Sequence, residues 1–167
     1  MTQRRLIIVR HAKTEESHPA GDHARTLTER GMRDAAALGE WLQVGALMPD
    51  VVLCSTAVRA RQTLVHLGHT LATELYEQLY LAEPDAMLQL LAQCDDALKT
   101  VMVIGHNPGL HALVVALMHD ATHEEDVQQL AQKFPTCTAA VLELSVSHWS
   151  ELCPHSGTLT HYHVARG

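Results

Sequence analysis

Three short segments of this chain set a cation or an imidazole directly after an apolar run. Residues 6–9, "LIIV", are followed by Arg10 and His11; 51–54, "VVLC", by Ser55, Thr56 and then Arg59; 101–104, "VMVI", by Gly105, His106, Asn107 and Pro108. Guanidinium groups match phosphate oxygens bidentately, so Arg10 and Arg59 brought face to face would clamp a phosphoryl group. A neutral imidazole can take a phosphoryl group into a covalent intermediate, which gives His11 the role of nucleophile. His106, held opposite, would stabilise the equatorial oxygens of an in-line transfer. No convergent carboxylate cluster accompanies these residues, which argues against a magnesium-dependent phosphatase; no metal or other cofactor is expected.

Such a site requires elements that carry the three segments to one place. The apolar runs "RLIIV", "DVVLC" and "TVMVIG" have the β-branched, nearly continuous pattern of strands buried on both faces of a parallel sheet. Helical periods lie between them. Ala35, Leu38 and Leu42 follow Thr28, a candidate N-cap; Ala60, Leu64, Leu67 and Leu71 follow Ser55 and Thr56, with Ser55 the candidate cap. Pro84 and Pro108 each stand where a first helical position would be, ahead of Met87, Leu88 and Leu91 and of Leu110, Leu113, Val114 and Leu117. The order predicts an α/β sandwich with right-handed crossovers, and "AAVLELS" and "TLTHYHV" are expected as strands at the sheet's edge. Open α/β sheets bind ligands at the carboxyl ends of their strands, where all three segments fall. "HPAGDHART" (18–26) reads as a surface loop.

Bulk properties narrow the function. At 167 residues the chain suits one domain, 1–167, with a continuous core, and 47% hydrophobic against 19% charged residues reads as globular. A formal net charge of -7 lacks the electrostatic footprint of a general nucleic-acid binder. The apolar stretch near "ALVVALM" is too short to span a bilayer and "MTQRRLIIV" too brief for a secretory signal, so a cytoplasmic protein without membrane attachment is expected. Cys54, Cys94, Cys137 and Cys153 show no C-x-x-C spacing and are expected to be reduced packing residues.

"LIIVRHAK", "CSTAVRARQT" and "VIGHNPGL" resemble, in order and spacing, the motifs of the histidine phosphatase superfamily, whose larger members include phosphoglycerate mutases. "DHARTLTERG" and "KFPTCTAAVLEL" are similar to its short phosphohistidine phosphatase branch, the SixA-like proteins. The resemblance covers nearly the whole chain. It implies a three-layer α/β/α fold with a mostly parallel sheet, metal-free hydrolysis and a phosphohistidine enzyme intermediate. Carried onto this sequence, it makes His11 the phosphorylated nucleophile and places Arg10, Arg59 and His106 in the phosphate pocket. Arg25, in "R-x-L-T-x-x-G", is either structural or faces the substrate.

Two departures stand out. R-H-A replaces the superfamily's usual R-H-G, as is common in the short branch. Relatives in that branch tend to carry Glu directly after the Tyr of "LYLAEP", where this chain has Leu81. If the segment is extended, Leu81 and Glu83 point the same way, so Glu83 is a candidate general acid; the alternative is a carboxylate favoured by the N-terminus of the helix opening at Pro84. The imidazole of phosphohistidine departs more readily than an alkoxide, so a weak acid hurts phosphoester hydrolysis most and favours a phosphorylated histidine as substrate. Short loops predict an open mouth, suited to a phosphorylated residue on a folded protein such as a histidine phosphotransfer domain. A broad small-molecule phosphomonoesterase or mutase, and a non-catalytic phosphate-binding module, remain as alternatives. His66 with His69, His119 with His123 and His161 with His163 lack a fixed third ligand and read as solvated or packed rather than metal-binding. Gln62, one turn beyond Arg59, is expected to orient it, His111 to lie on the surface or behind the site, and "HEED" (123–126) to open a solvated helix.

Overall fold

A computed structural model describes residues 3–167. The three apolar runs form β1 (Arg4–Arg10), β2 (Val51–Ser55) and β4 (Thr100–Gly105), joined by β3 (Thr73–Tyr76), β5 (Met118–Ala121), β6 (Thr138–Leu144) and β7 (Gly157–Val164). All seven share one sheet in the order β3-β2-β4-β1-β6-β7-β5. Only β6 runs against the others, pairing antiparallel with β1 and with β7. The two late strands therefore do not lie at the edge, as their position in the chain suggested. The edges are β3 and β5, four residues each and partly exposed, whose sequences "TELY" and "MHDA" carry no apolar run to announce them.

Helices cover both faces, giving three layers. Alternation along β1 shows why: Leu6 and Ile8 join one core with Met87, Leu91, Leu110, Leu113 and Leu130, while Ile7 and Val9 join the other with Ala35, Leu38, Leu42 and Ala60. The first core is covered by α3 (Pro84–Ala92), α4 (Gly109–Leu117) and α5 (Glu124–Gln132), the second by α1 (Glu29–Val44) and α2 (Val58–His66). Thr28 caps α1 as expected, its hydroxyl accepting from the Gly31 N–H at 3.0 Å. The acidic stretch opens α5, with Glu124, Glu125 and Asp126 in its first turn. Three helix starts or ends differ from the sequence reading. Pro84 does sit in the first turn of α3, but Pro108 is the residue before α4 rather than its first. The N-cap of α2 is Ala57, not Ser55, and the helix ends at His66, leaving Leu71 beyond it.

All four cysteines are free. Burial pushes the Cys54 and Cys137 thiols up to about 12, which removes thiolate chemistry from both. His163 stacks on Trp41 at 4.4 Å with the rings nearly parallel, and His161 meets the same indole edge-on at 5.6 Å. Among the described residues no group of three or more His, Cys, Asp or Glu side chains could hold a metal ion, and no helix is long and apolar enough to cross a membrane.

The α1–α2 crossing depends on a missing side chain. A Cβ on Gly39 would lie 1.9 Å from the Leu67 carbonyl oxygen, a backbone atom that cannot swing aside. Gly39→Ala is therefore expected to lower stability by about 1–3 kcal/mol despite the better helix propensity of alanine, read as a drop in thermal midpoint; an unchanged or raised midpoint contradicts the tight crossing.

Candidate active site

The parallel register brings the three strand ends level: Arg10 lies opposite Gly105, and Cys54 opposite Ile104. His11 follows with its N–H donating to the Gly105 carbonyl at 3.2 Å, extending the ladder by one residue. Its own carbonyl accepts from the Cys137 N–H at 3.0 Å, and the next N–H, of Ala12, donates to the Thr63 hydroxyl oxygen at 2.9 Å. Thr63 in turn donates to the Arg59 carbonyl at 2.7 Å, so one hydroxyl ties the His11 loop to the helix that carries Arg59.

The imidazole of His11 is placed with one nitrogen committed. Nδ1 lies 2.8 Å from the Ala12 carbonyl oxygen, and because a carbonyl can only accept, Nδ1 must carry the proton. Nε2 then bears the lone pair. Burial lowers the pKa of His11 to about 4; the Ala12 bond, the next influence, works against it, and the Arg10, Arg59 and Arg25 charges lower it further. His106 lies across the cavity, 5.3 Å between ring centroids, and burial followed by the His11 and Arg59 charges lowers it to about 3. Its Nε2 is 2.8 Å from the Ser55 hydroxyl, whose oxygen already accepts from the Ala57 N–H at 3.2 Å. The hydroxyl can donate to a bare Nε2 or accept a second bond from Nε2–H, so this contact anchors the His106 ring in either tautomer.

Three buried nitrogens at this place have no hydrogen-bond partner: Arg10 Nε, Arg59 Nε and His106 Nδ1. Buried polar nitrogens are rarely left so, and the two guanidinium N–H donors, with an imidazole nitrogen beside them, describe a site shaped for an anion with several oxygens. The rest of each guanidinium is held. Arg59 donates through Nη1 to the Asp22 carbonyl at 2.8 Å and through Nη2 to its carboxylate at 3.1 Å; Arg10 donates to the Phe134 carbonyl at 3.3 Å. Burial, and then the Arg59 charge, lowers the pKa of Arg10, as expected of two like charges that an incoming phosphate would relieve. All four sequence-predicted residues line one cavity of about 350 Å³, together with Arg25, Asn107 and Thr136. Volume does not locate this site, since a groove of about 550 Å³ around Lys133 and Tyr162 is larger but lacks the histidine pair.

Several side chains have parts that their spacing did not give them. Ser55 anchors His106 instead of capping α2. Gln62 does not touch Arg59 but accepts the Leu27 N–H at 2.8 Å, fixing the end of the 12–26 loop. His111 bonds the Leu130 carbonyl and stacks on Phe134, behind the pocket. Arg25 lines the pocket with its donors engaged, Nε on the Glu15 carbonyl at 2.9 Å, Nη1 on Asp22 at 3.0 Å and Nη2 on the Thr14 hydroxyl. Glu83 is not brought to the cavity. Leu81 adopts φ 52, in the left-handed region, so the segment is not extended there; Leu81 lines the mouth while Glu83 is exposed as the residue preceding α3. Two residues were missed. Asp22 and Tyr80 bond each other beside Arg59, whose guanidinium lies 5.8 Å from the Tyr80 ring centre. The D-x-x-R spacing of Asp22 and Arg25 was the available signal.

Residues 6–88 match the family model of the histidine phosphatase superfamily (branch 1). A candidate phosphohistidine phosphatase SixA from Nakamurella multipartitia is 32% identical, covers 99% of this chain and 98% of its own, and superposes with a TM-score of 0.87. The chain belongs to the histidine phosphatase superfamily, in its SixA-like branch. Its counterpart from Agrobacterium tumefaciens is 30% identical with a TM-score of 0.74 over 84% of this chain and 92% of the other. An uncharacterized protein of Mycobacterium tuberculosis is 37% identical over 159 residues, 95% of this chain and all of the relative. Family membership gives the buried cations their meaning: this histidine phosphatase gathers arginine and histidine side chains around its cavity.

Two outcomes follow for this histidine phosphatase. Because the His11 pKa is depressed, its neutral form persists as pH falls: an imidazole titration by NMR on the substrate-free protein is expected to show a midpoint near 4, and a midpoint near 6.5 contradicts the buried geometry. Ser55→Ala leaves Nε2 of His106 unpaired and the ring unanchored; it is expected to destabilise the fold by about 1–3 kcal/mol and to weaken tungstate binding, both read in one thermal-shift series.

Proposed function

We propose that the protein is a phosphohistidine phosphatase that removes phosphate from a phosphorylated histidine on a protein, such as a histidine phosphotransfer domain, through a phospho-His11 intermediate. The observation that carries this reading is the forced tautomer of His11: its Nδ1 proton is spent on the Ala12 carbonyl, and a neutral ring offers Nε2 to a cavity lined with unpaired donors. Nε2 attacks phosphorus in line as the bond to the departing nitrogen breaks. Arg10, Arg59 and His106 hold the equatorial oxygens and act mainly by position and charge. Water then attacks the same phosphorus, the bond to Nε2 breaks, and orthophosphate leaves with His11 restored.

The substrate class is supported by the mouth. The pocket is small, about 350 Å³, and among the described residues its one lining carboxylate, Asp22, is held well below the usual carboxylate range, first by the Tyr80 hydroxyl and then by Arg25. A group so held does not donate a proton near neutral pH. An alkoxide leaving group needs that proton, whereas an imidazole departs without it. The candidate phosphohistidine phosphatases among the relatives point the same way.

Incubation with a labelled phosphohistidine protein, quenched in alkali, is expected to leave label on His11 when located by mass spectrometry. His11→Ala is expected to lose at least about a thousandfold in turnover without losing its fold. Label on another residue, or normal turnover in the variant, rejects the nucleophile; faster hydrolysis of sugar phosphates or phosphoserine than of phosphohistidine rejects the substrate class.

A further inference from the structure

His11 is 6% exposed and lies on the pocket floor, so a leaving group in line with its Nε2 faces the mouth. Two dissimilar side chains stand there. Leu81 is 56% exposed and holds φ 52, a conformation that a leucine adopts only at an energetic penalty. Strain of this kind persists where surrounding structure imposes it, and at a pocket rim it directs a large apolar side chain to the place where a substrate must pass. Asp22 is the other, with 46% of its side chain exposed. Its Oδ2 accepts from Arg59 Nη2 and the Tyr80 hydroxyl, and Oδ1 from Arg25 Nη1. A carboxylate offers about four acceptor sites, so one remains on the open side of Oδ1.

An ionised carboxylate here opposes one class of leaving group and favours another. A phosphoester releases an oxygen on which negative charge grows, and Asp22 repels it. A phosphohistidine ring protonated on its second nitrogen is positively charged, flat and apolar at its carbons, and presents one N–H. We propose that Asp22 and Leu81 are specificity-determining residues, Asp22 accepting a hydrogen bond from the N–H of a phosphoimidazolium substrate while Leu81 packs against the ring. The proposal rests on the phosphohistidine reading above and assigns its selectivity. As the bond from phosphorus to His11 Nε2 forms, the substrate's P–N bond breaks and its electron pair returns to the ring. The ring keeps the proton on its other nitrogen and leaves as neutral imidazole, so the enzyme delivers no proton.

The test compares kcat/KM for a phosphohistidine peptide with that for acetyl phosphate, whose leaving group is an anionic oxygen without a ring. Asp22→Asn is expected to lower the ratio of the two about ten- to a hundredfold, the effect of losing one charge-assisted hydrogen bond. Asp22→Glu, which keeps the charge, is expected to restore part of the ratio. Should Asp22 act only by holding Arg59, Asp22→Asn will slow both substrates in parallel, and that result overturns the proposal. Leu81→Ala, at an exposed position, is expected to lower the same ratio roughly three- to tenfold; an unchanged ratio overturns the proposal whatever the folding of the Asp22 variants. Wild-type protein that hydrolyses acetyl phosphate but not the phosphohistidine peptide fails the underlying substrate reading instead, so the two failures are distinguishable.

Discussion

One hydrogen bond, from His11 Nδ1 to the carbonyl of Ala12, decides which nitrogen of the proposed nucleophile is available. A ring bonded to a hydroxyl or a water could exchange its tautomers; one bonded to a carbonyl cannot, because the acceptor has no proton to return. The bond is only as firm as the Ala12 backbone. The His11–Ala12 backbone is fixed from three sides, at His11 by the Gly105 carbonyl of β4 and the Cys137 N–H on the approach to β6, and at the Ala12 N–H by Thr63 of α2. Orienting one imidazole therefore draws on elements that are distant in sequence, and the buried centre of the sheet supplies them. The neighbour of β1 on one side is parallel and on the other antiparallel, so a strand's carboxyl end and another strand's start meet at the same level.

The cavity concentrates like charge. Arg10, Arg59 and Arg25 line one small space, and two histidines between them stay neutral because burial and those cations make a further proton unfavourable. Asp22 offsets part of this charge at the rim, while Phe134 and Glu15 contribute carbonyl oxygens. What remains is an excess of positive charge and three buried nitrogens without partners, two of them guanidinium donors, an arrangement that is less stable alone than with an oxyanion bound. Stability given up in the free protein is regained on binding, the usual relation between a preorganised polar site and the fold that holds it.

How much was legible follows from the kind of signal each residue gives. Arg10, His11, Arg59 and His106 could be read because each follows a continuous apolar run, and a parallel sheet carries the ends of such runs to one side. α1 was legible in its cap and its period together. Residues whose role depends on a partner from another element were not. Ser55 looks like a cap by local spacing, but its hydroxyl faces His106, fifty-one positions away in sequence. Gln62 has the helical offset to reach Arg59, yet the neighbouring loop presents an N–H that the helix surface does not. The edge strands β3 and β5 escaped notice since an edge half exposed to solvent needs no apolar run. Glu83 failed on one dihedral: a single left-handed residue at Leu81 reverses the side-chain alternation on which its placement depended.

The same dihedral, which leaves Glu83 outside the cavity, bears on the proposed reaction without a carboxylic acid. A proton donor must titrate near the working pH, and so must sit where ionisation is penalised, in an apolar or anionic setting. The arginine-lined side of this pocket is neither. Asp22, bonded to both Arg25 and Arg59, is held ionised there. Phosphate binding by closely spaced guanidinium groups and proton donation by a nearby carboxyl thus compete for one electrostatic environment. A substrate whose leaving nitrogen needs no proton removes the competition, and the arginines can then be placed for the phosphoryl group alone.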